Sequence, residues 1–238
     1  MGIDRKASGS RKVMAGLLCL SFMLIPGTTA NTATGVDLVL VLALDVSSSV
    51  DDDEFALQRH GLARAITDPQ VLDAIQKGTN GRIAVSVVQW SGFTEQLTKI
   101  DWMILGTHDD VARFSSELST MTRRYDGGAT DIGGALLFCR NLVLAAPFAA
   151  SRKVVDIAGD GTNNVNFSPT LERDKSVAAG VVVNGLAIVN NVLTLAEYYQ
   201  KNVIGGPGSF VETATSYRDF ERAIKRKLLR EIGAPYLF

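Results

Sequence analysis

Cysteine and histidine are scarce in this chain, with two residues of each among 238. Cys19 and Cys139 are too few for a disulfide scaffold. His60 and His108 are scattered, and only one cysteine follows the first thirty residues, so a zinc site of the Cys/His type is not expected. No Gly-Lys-Ser or Gly-Lys-Thr triplet occurs, which excludes a phosphate-binding loop of that kind.

An excess of charge of one sign is also lacking. The chain has 24 basic and 25 acidic residues; residues 1–30 carry four of the basic and one of the acidic residues, which leaves a net charge of −4 on the remainder. Nucleic acids and anionic lipids attract clustered Lys and Arg, so neither is expected as the main partner. With 46% hydrophobic and 21% charged residues, the composition is typical of a single globular domain.

The first thirty residues predict an export signal. A basic stretch that ends at Lys12 precedes the apolar run 13–25, and a Pro-Gly pair and small residues follow up to Ala30. This order is typical of a secretory signal peptide, here cleaved after Ala30 or Ala33. Thirteen apolar residues are too few to span a bilayer as a helix, which takes about 20. We expect an exported protein, periplasmic or extracellular, with no membrane span in its mature form; an uncleaved anchor is the alternative.

Strands and helices alternate along the rest of the chain. Residues 36–46 are apolar on both faces and predict a buried central strand. Five more strands are predicted, with helices between them, at 82–90, 96–105, 153–158, 181–189 and 209–213. This alternation predicts a doubly wound α/β fold, with a mainly parallel six-stranded sheet and helices on both faces (Rossmann-like). We expect a signal peptide at 1–30, the domain at 36–230 and a C-terminal tail at 231–238.

Small oxygen-bearing side chains occur in three loops of the predicted sheet. Asp45, Ser47 and Ser49 alternate where the first strand ends, Thr130 precedes a helix, and Asp160 follows a later strand. Ligands of doubly wound sheets bind at the carboxyl ends of the central strands, so we expect these five residues to converge. Magnesium takes oxygen ligands, with one or two carboxylates and several waters. The five residues therefore predict a site for Mg²⁺ or Mn²⁺, whereas Ca²⁺ fits less well.

Two other motifs fail at this position, and a simpler role stays open. A helix-loop-helix calcium loop that starts at Asp45 would need Gly at Val50 and Glu at Ala56. A phosphatase of the aspartyl-phosphate type would need a second acid where Ser47 stands. The serines at 47–49 could instead cap the following helix, whose acidic residues 51–54 predict a solvated first turn.

The combined pattern resembles a known family. Asp45-x-Ser47-x-Ser49, Thr130 within Gly-Gly-Ala-Thr-Asp, and Asp160 within Gly-Asp-Gly are similar to the metal-ion-dependent adhesion site of von Willebrand factor type A (VWA) domains. The resemblance covers residues 36 to about 229, and segments 44–49, 88–92 and 127–134 also resemble an uncharacterised family of bacterial secreted single-domain proteins. It implies that the two serines and the threonine contact the metal, while the two aspartates hold it directly or through water.

The resemblance implies an exported module that binds an acidic group of a protein or peptide partner, whose carboxylate completes the coordination of the ion. A metal-dependent hydrolase that uses the same site, or a subunit of a periplasmic assembly, are the alternatives. A hydrolase needs a general base near the ion. Asp126 and Asp131 are the candidates, and each has a simpler role in a loop or at a helix start, so we expect no enzymatic activity.

Other side chains receive structural predictions. Cys139 and Trp90 are expected in the core, and Asn163 and Asn164 are expected to shape a loop. Residues 123–125 either lie at the surface or meet an acidic partner. The basic side chains of the last helix are expected to be solvated on its outer face; they are Lys225, Arg226, Lys227 and Arg230.

Overall fold

The structure is a computed structural model that describes residue 2, residues 33–165 and residues 167–233. The predicted apolar run 13–25 and the cleavage position after Ala30 lie outside the described residues. Among the residues that are described, no helix combines the length and the apolar character that crossing a membrane requires.

The described residues form alternating strands and helices. The strands are β1 (Thr34–Val36), β2 (Val39–Asp45), β3 (Ile83–Trp90), β4 (Gln96–Leu105), β5 (Phe148–Ala150), β6 (Lys153–Gly159), β7 (Val182–Ile188) and β8 (Val211–Ala214). The helices are α1 (Asp52–Ile66), α2 (Pro69–Gln76), α3 (His108–Thr120), α4 (Ile132–Leu144), α5 (Pro169–Ala178), α6 (Leu195–Asn202) and α7 (Phe220–Gly233), the last preceded by a 3-10 turn at Tyr217–Asp219.

Six strands form one sheet in the order β4-β3-β2-β6-β7-β8. All neighbours pair in parallel except β3 and β4, which are antiparallel. The core divides into two clusters: α1, α2, α3 and α7 contribute to one, and α4 and α6 contribute to the other. The predicted doubly wound, mainly parallel fold is confirmed. The strand order reverses between β2 and β6, which is where ligands of such sheets bind.

The central strand shows why the sheet is buried on both sides. All seven residues of β2 are buried. Leu40, Leu42 and Leu44 belong to one core cluster, and Val39 and Val41 belong to the other. Because successive side chains of a strand point to opposite faces, a continuous apolar run is needed when helices cover both faces.

The start of this strand differs from the prediction. Asp37 interrupts the run 36–46, because its carboxylate accepts hydrogen bonds from the backbone N–H groups of Asn80, at 2.8 Å, and Arg82, at 3.3 Å. The chain before it forms β1, which pairs with the short β5 in a separate two-stranded sheet. Three residues are too few to show the alternation that predicts a strand.

The last helix also differs from the prediction, because Lys227 is not solvated. Its side chain is fully buried, and its ammonium group lies 2.7 Å from both Asp156 Oδ1 and Glu231 Oε1. Asn184 donates a further hydrogen bond to Glu231, at 2.9 Å. Two carboxylates thus compensate the buried charge, as a buried ammonium group requires. The other three basic residues remain at least partly exposed, as expected.

Candidate metal centre

The turn after β2 presents the first three residues of the centre. Asp45 is fully buried, and its Oδ1 accepts a hydrogen bond from the backbone N–H of Ser47 at 2.8 Å. Ser47 is buried and Ser49 is exposed, with their hydroxyl oxygens 3.3 Å apart. The serines do not cap the next helix. Asp51 is the N-cap of α1, and it forms a capping box with Glu54.

Thr130 reaches this turn from the loop before α4. Its hydroxyl donates to Ser47 Oγ at 3.5 Å. The loop is held by Asn164, whose Oδ1 accepts from the N–H of Thr130 at 2.8 Å and whose own N–H donates to the carbonyl of Thr130 at 3.1 Å. Asn164 therefore shapes the site loop, in agreement with the sequence prediction.

Asp160 completes the group from the loop after β6. Its side chain is buried, and Ser49 donates a hydrogen bond to its Oδ1 at 2.6 Å. A chain of side-chain hydrogen bonds thus runs from Asp160 through Ser49 and Ser47 to Thr130, with Asp45 behind it. The structure brings all five predicted residues together, because the neighbouring parallel strands β2 and β6 end at the same edge of the sheet.

Burial of the two acids leaves negative charge without compensation. Burial raises the pKa of Asp45 to about 7, although hydrogen bonds from Ser47 act in the opposite direction, and burial also raises the pKa of Asp160. Oδ2 of each carboxylate is buried and has no hydrogen-bond partner among the described residues. A buried polar atom without a partner is costly, and a divalent cation would compensate both carboxylates. The donors therefore fit the metal that the resemblance implies.

Two tyrosines behind the carboxylates carry no motif that would reveal them in the sequence. The hydroxyl groups of Tyr199 and Tyr217 are buried, and neither has a hydrogen-bond partner in the described part of the chain. A Cβ added to Gly159 would lie 2.8 Å from the Tyr199 hydroxyl and 2.7 Å from Asp45 Oδ2, so both atoms crowd the backbone there. Burial, and then the charges of Asp45 and Asp160, raise the pKa of the Tyr217 hydroxyl.

Arg123, whose role the sequence left open, holds the turn after β2 in place. Its guanidinium donates to the backbone carbonyls of Val46, at 3.1 Å, and Ser47, at 3.2 Å, and also to the carbonyl of Tyr125 at 2.7 Å. The side chain is only 12% exposed. Gln58 of α1 supports the same turn through the carbonyl of Asp45, at 3.3 Å.

The remaining candidates have structural positions. Asp131 is the N-cap of α4 and accepts from the N–H of Gly134 at 2.8 Å. Asp126 is exposed, while Cys139 and Trp90 are buried as expected. Within the described residues, no three His, Cys, Asp or Glu side chains are arranged to hold a metal, so this centre depends on its hydroxyl groups.

A doubly wound sheet with this loop arrangement at its switch point is the fold of VWA domains, and solved structures agree on that fold. A VWA protein from Catenulispora acidiphila is 14% identical over 85% of this chain and 44% of that chain, with a TM-score of 0.57. The vWF domain of the type V pili tip protein Mfa5 from Porphyromonas gingivalis is 12% identical over 87% of this chain and 99% of that chain, with a TM-score of 0.57.

Proximal thread matrix protein 1 from the mussel byssus was solved with zinc in its metal-ion-dependent adhesion site (MIDAS) motif. It is 22% identical over 84% of this chain, with a TM-score of 0.58. The present chain spans about half of that protein, namely 48%. No curated protein sequence matches significantly. The sequence profile of one family matches residues 35–236, and the chain belongs to that family, which is described as protein of unknown function DUF1194.

Proposed function

We propose that this chain is an exported VWA-type binding module that holds Mg²⁺ or Mn²⁺ at the candidate metal centre and binds a carboxylate of a protein partner. The observation that carries the proposal is the pair of buried, unpartnered carboxylate oxygens of Asp45 and Asp160, next to three converging hydroxyl groups. Ser47, Ser49 and Thr130 would contact the ion, and the two aspartates would hold it directly or through water.

The types of donor support Mg²⁺ or Mn²⁺ in particular. Hydroxyl and carboxylate oxygens are hard ligands, whereas zinc and copper favour imidazole and thiolate. The zinc found in the mussel protein supports a divalent cation in general. Three neutral hydroxyls and two carboxylates that act largely through water leave the ion much of its positive charge. Such an ion favours an incoming anion, which supports a carboxylate as the partner group.

A binding role is favoured over a catalytic one by what surrounds the centre. A hydrolase would need a base within hydrogen-bond reach of a metal-bound water. Asp131, the nearest candidate by sequence, is the N-cap of α4, where its Oδ1 accepts from the N–H of Gly134. A protein partner is also consistent with the pilus-tip origin of one structural relative. Export is supported by the basic and apolar segments of residues 1–30.

Metal binding is tested by calorimetric titration of the mature protein with Mg²⁺ and with Mn²⁺. We expect one weak site in the wild type and no binding in Asp45→Ala, which should stay folded because the change removes a buried, poorly compensated carboxylate. Asp53→Ala is the matched control, since Asp53 is an exposed acid of the same loop-helix junction. Equal metal affinity in the wild type and Asp45→Ala would refute the proposal.

Partner binding is tested by pull-down from the cell envelope with Mg²⁺, with chelator, and with chelator followed by excess Mg²⁺. We expect a partner that is retained only with the metal and is lost in Thr130→Ala, because the threonine hydroxyl would be a direct ligand. An ester, peptide and phosphoester screen should stay at background. Chelator-insensitive retention would contradict the mechanism, and metal-dependent turnover of a substrate would contradict the class.

A further inference from the structure

A stacked pair of aromatic rings, with Phe93 exposed and Phe167 partly buried, is linked to the loop that supplies Thr130. Phe93, in the turn between β3 and β4, is 64% exposed. Its ring stacks on that of Phe167, from the loop after β6, with 5.7 Å between centroids and 16° between planes. Single exposed apolar side chains are common, but two stacked aromatic rings from separate loops form a preorganised apolar surface.

The turn that carries Phe93 is strained. Thr94 has a φ of +61°, and it is the only residue other than glycine with a positive φ in the described part of the chain. A β-branched residue is rare in this left-handed region, where its side chain clashes with the backbone. The turn is closed nonetheless by the Ser91–Glu95 backbone hydrogen bond, at 2.9 Å. Strain of this kind is concentrated at functional sites.

Both phenylalanines are attached to the loop that supplies Thr130. On the Phe93 side, the carbonyl of Ser91 accepts from the N–H of Asp131 at 2.9 Å. On the Phe167 side, Asn163 links the loop after β6 to the start of α4. Its side-chain amide donates to the carbonyl of Phe167 at 3.1 Å, and its Oδ1 accepts from the N–H of Gly133 at 3.3 Å. The position of the ring pair is therefore fixed relative to the predicted metal ligands.

We infer that the Phe93–Phe167 pair and the metal centre form one recognition surface, which takes a polypeptide segment whose metal-binding carboxylate adjoins an aromatic side chain. This inference rests on the proposed function and specifies its partner. The ion supplies attraction for any carboxylate, which by itself selects little. The adjacent aromatic surface adds selectivity, because an aromatic side chain of the partner can leave water by stacking on Phe93.

The test is an NMR titration of Mg²⁺-loaded protein with three capped hexapeptides: Gly-Gly-Phe-Glu-Gly-Gly, Gly-Gly-Ala-Glu-Gly-Gly and Gly-Gly-Phe-Gln-Gly-Gly. We expect the Phe-Glu peptide to bind about fivefold more tightly than the Ala-Glu peptide, the effect of one aromatic pair. The Phe-Gln peptide should not bind. In Phe93→Ala the Phe-Glu peptide should lose its advantage while the affinity for Mg²⁺ stays unchanged.

The matched control is Leu144→Ala, since Leu144 is 39% exposed and lies at the far end of α4 from Thr130. This variant should keep the fivefold preference. Equal binding of the Phe-Glu and Ala-Glu peptides would overturn the inference, as would an unchanged preference in Phe93→Ala. Self-association of the wild type that Phe93→Ala abolishes would overturn it as well, because the pair would then bind a second copy.

Failure of the proposed function gives a different result from failure of this inference. If Mg²⁺ alone does not shift the amide resonances of Ser47 and Thr130, the metal site itself is wrong, and the inference falls with it. If Mg²⁺ shifts them but the aromatic side chain of the peptide has no effect, the metal site stands and only the recognition surface is wrong.

Discussion

Tyr199 and Tyr217 lie behind the candidate metal centre, although no motif marks them in the sequence. Both hydroxyls lie beside the carboxylates of the candidate metal centre, and neither has a partner among the described residues. A metal bound by Asp45 and Asp160 would draw on such hydroxyls, since groups behind the ligands orient them and are important for affinity.

We predict that Tyr199→Phe lowers Mg²⁺ affinity about tenfold, as the loss of an orienting group behind a metal ligand commonly does. The metal-free protein should be as stable as the wild type or more so, because the substitution removes an unpartnered buried hydroxyl. Calorimetric titration measures the affinity, and thermal unfolding with chelator measures the stability. If Tyr199→Phe lowers the stability of the metal-free protein and leaves the affinity for Mg²⁺ unchanged, the prediction is wrong and Tyr199 serves only in packing.

The five predicted residues of the centre were accessible from the sequence because each follows a recognisable strand or opens a helix. The tyrosines were not, because they come from α6 and from the 3-10 turn before α7, whose positions relative to β2 follow only from the packed fold. Arg123 was ambiguous for the same reason. A lone arginine in a loop shows nothing of the backbone carbonyls that it will contact.

The starts of two helices carry signals in the sequence, because caps are local. Asp51 and Ser168 cap α1 and α5, and the acids and proline that follow them are typical of first turns. Lys227 was predicted wrongly although a signal was present. Ile224, Lys227, Leu228 and Glu231 stand at positions i, i+3, i+4 and i+7, so both charged residues lie on the buried face of α7.

The buried cluster of Asp156, Glu231 and Lys227 ties α7 to the sheet and carries two acids for one base. Burial, followed by repulsion from Glu231, raises the pKa of Asp156, although Lys227 opposes the shift. The folded protein therefore retains a proton that the unfolded chain releases at about pH 3.9. Asp156 contributes stability below that pH, and the contribution is lost as the pH rises through the raised pKa.

Asp156→Asn should remove this pH dependence, since asparagine resembles the neutral acid. As the pH rises from 5 to 8, we predict that the unfolding free energy of the variant rises by about 1 kcal/mol relative to that of the wild type. This change is below the limit of about 1.4 kcal/mol for each unit of pKa shift. Urea unfolding at the two pH values measures the difference. Asp73→Asn, at an exposed acid, is the control and should differ from the wild type by the same unfolding free energy at both pH values. If the difference between Asp156→Asn and the wild type is also the same at both pH values, the argument is wrong.

The fold of the domain and the place of the candidate metal centre could be predicted from the sequence pattern. Parallel strands with apolar faces determine the sheet, and the sheet determines where the loops after the strands meet. The aromatic pair does not follow, because Phe93 and Phe167 lie 74 positions apart in loops without periodicity. Only the packed structure reveals such a contact.

Export is consistent with the chemistry of the domain. Cys139 is the only cysteine after the first thirty residues; it is fully buried in the described domain, and burial raises its pKa well above that of a free thiol. A buried, protonated thiol reacts slowly, since the thiolate is the reactive form. The domain therefore tolerates the oxidising conditions outside the cytoplasm without a disulfide partner.

We predict that protein recovered from the cell envelope or the medium begins near Asn31, since the small residues before it are typical of signal cleavage. Leu18→Arg places a charge within the apolar run 13–25 and should leave uncleaved protein in the cytoplasm, because that run must enter an apolar environment during export. Ser10→Arg, in the basic stretch, is the matched control and should be exported. N-terminal sequencing decides between these outcomes: an intact Met1 on protein outside the cytoplasm would mean that the segment is retained as an anchor.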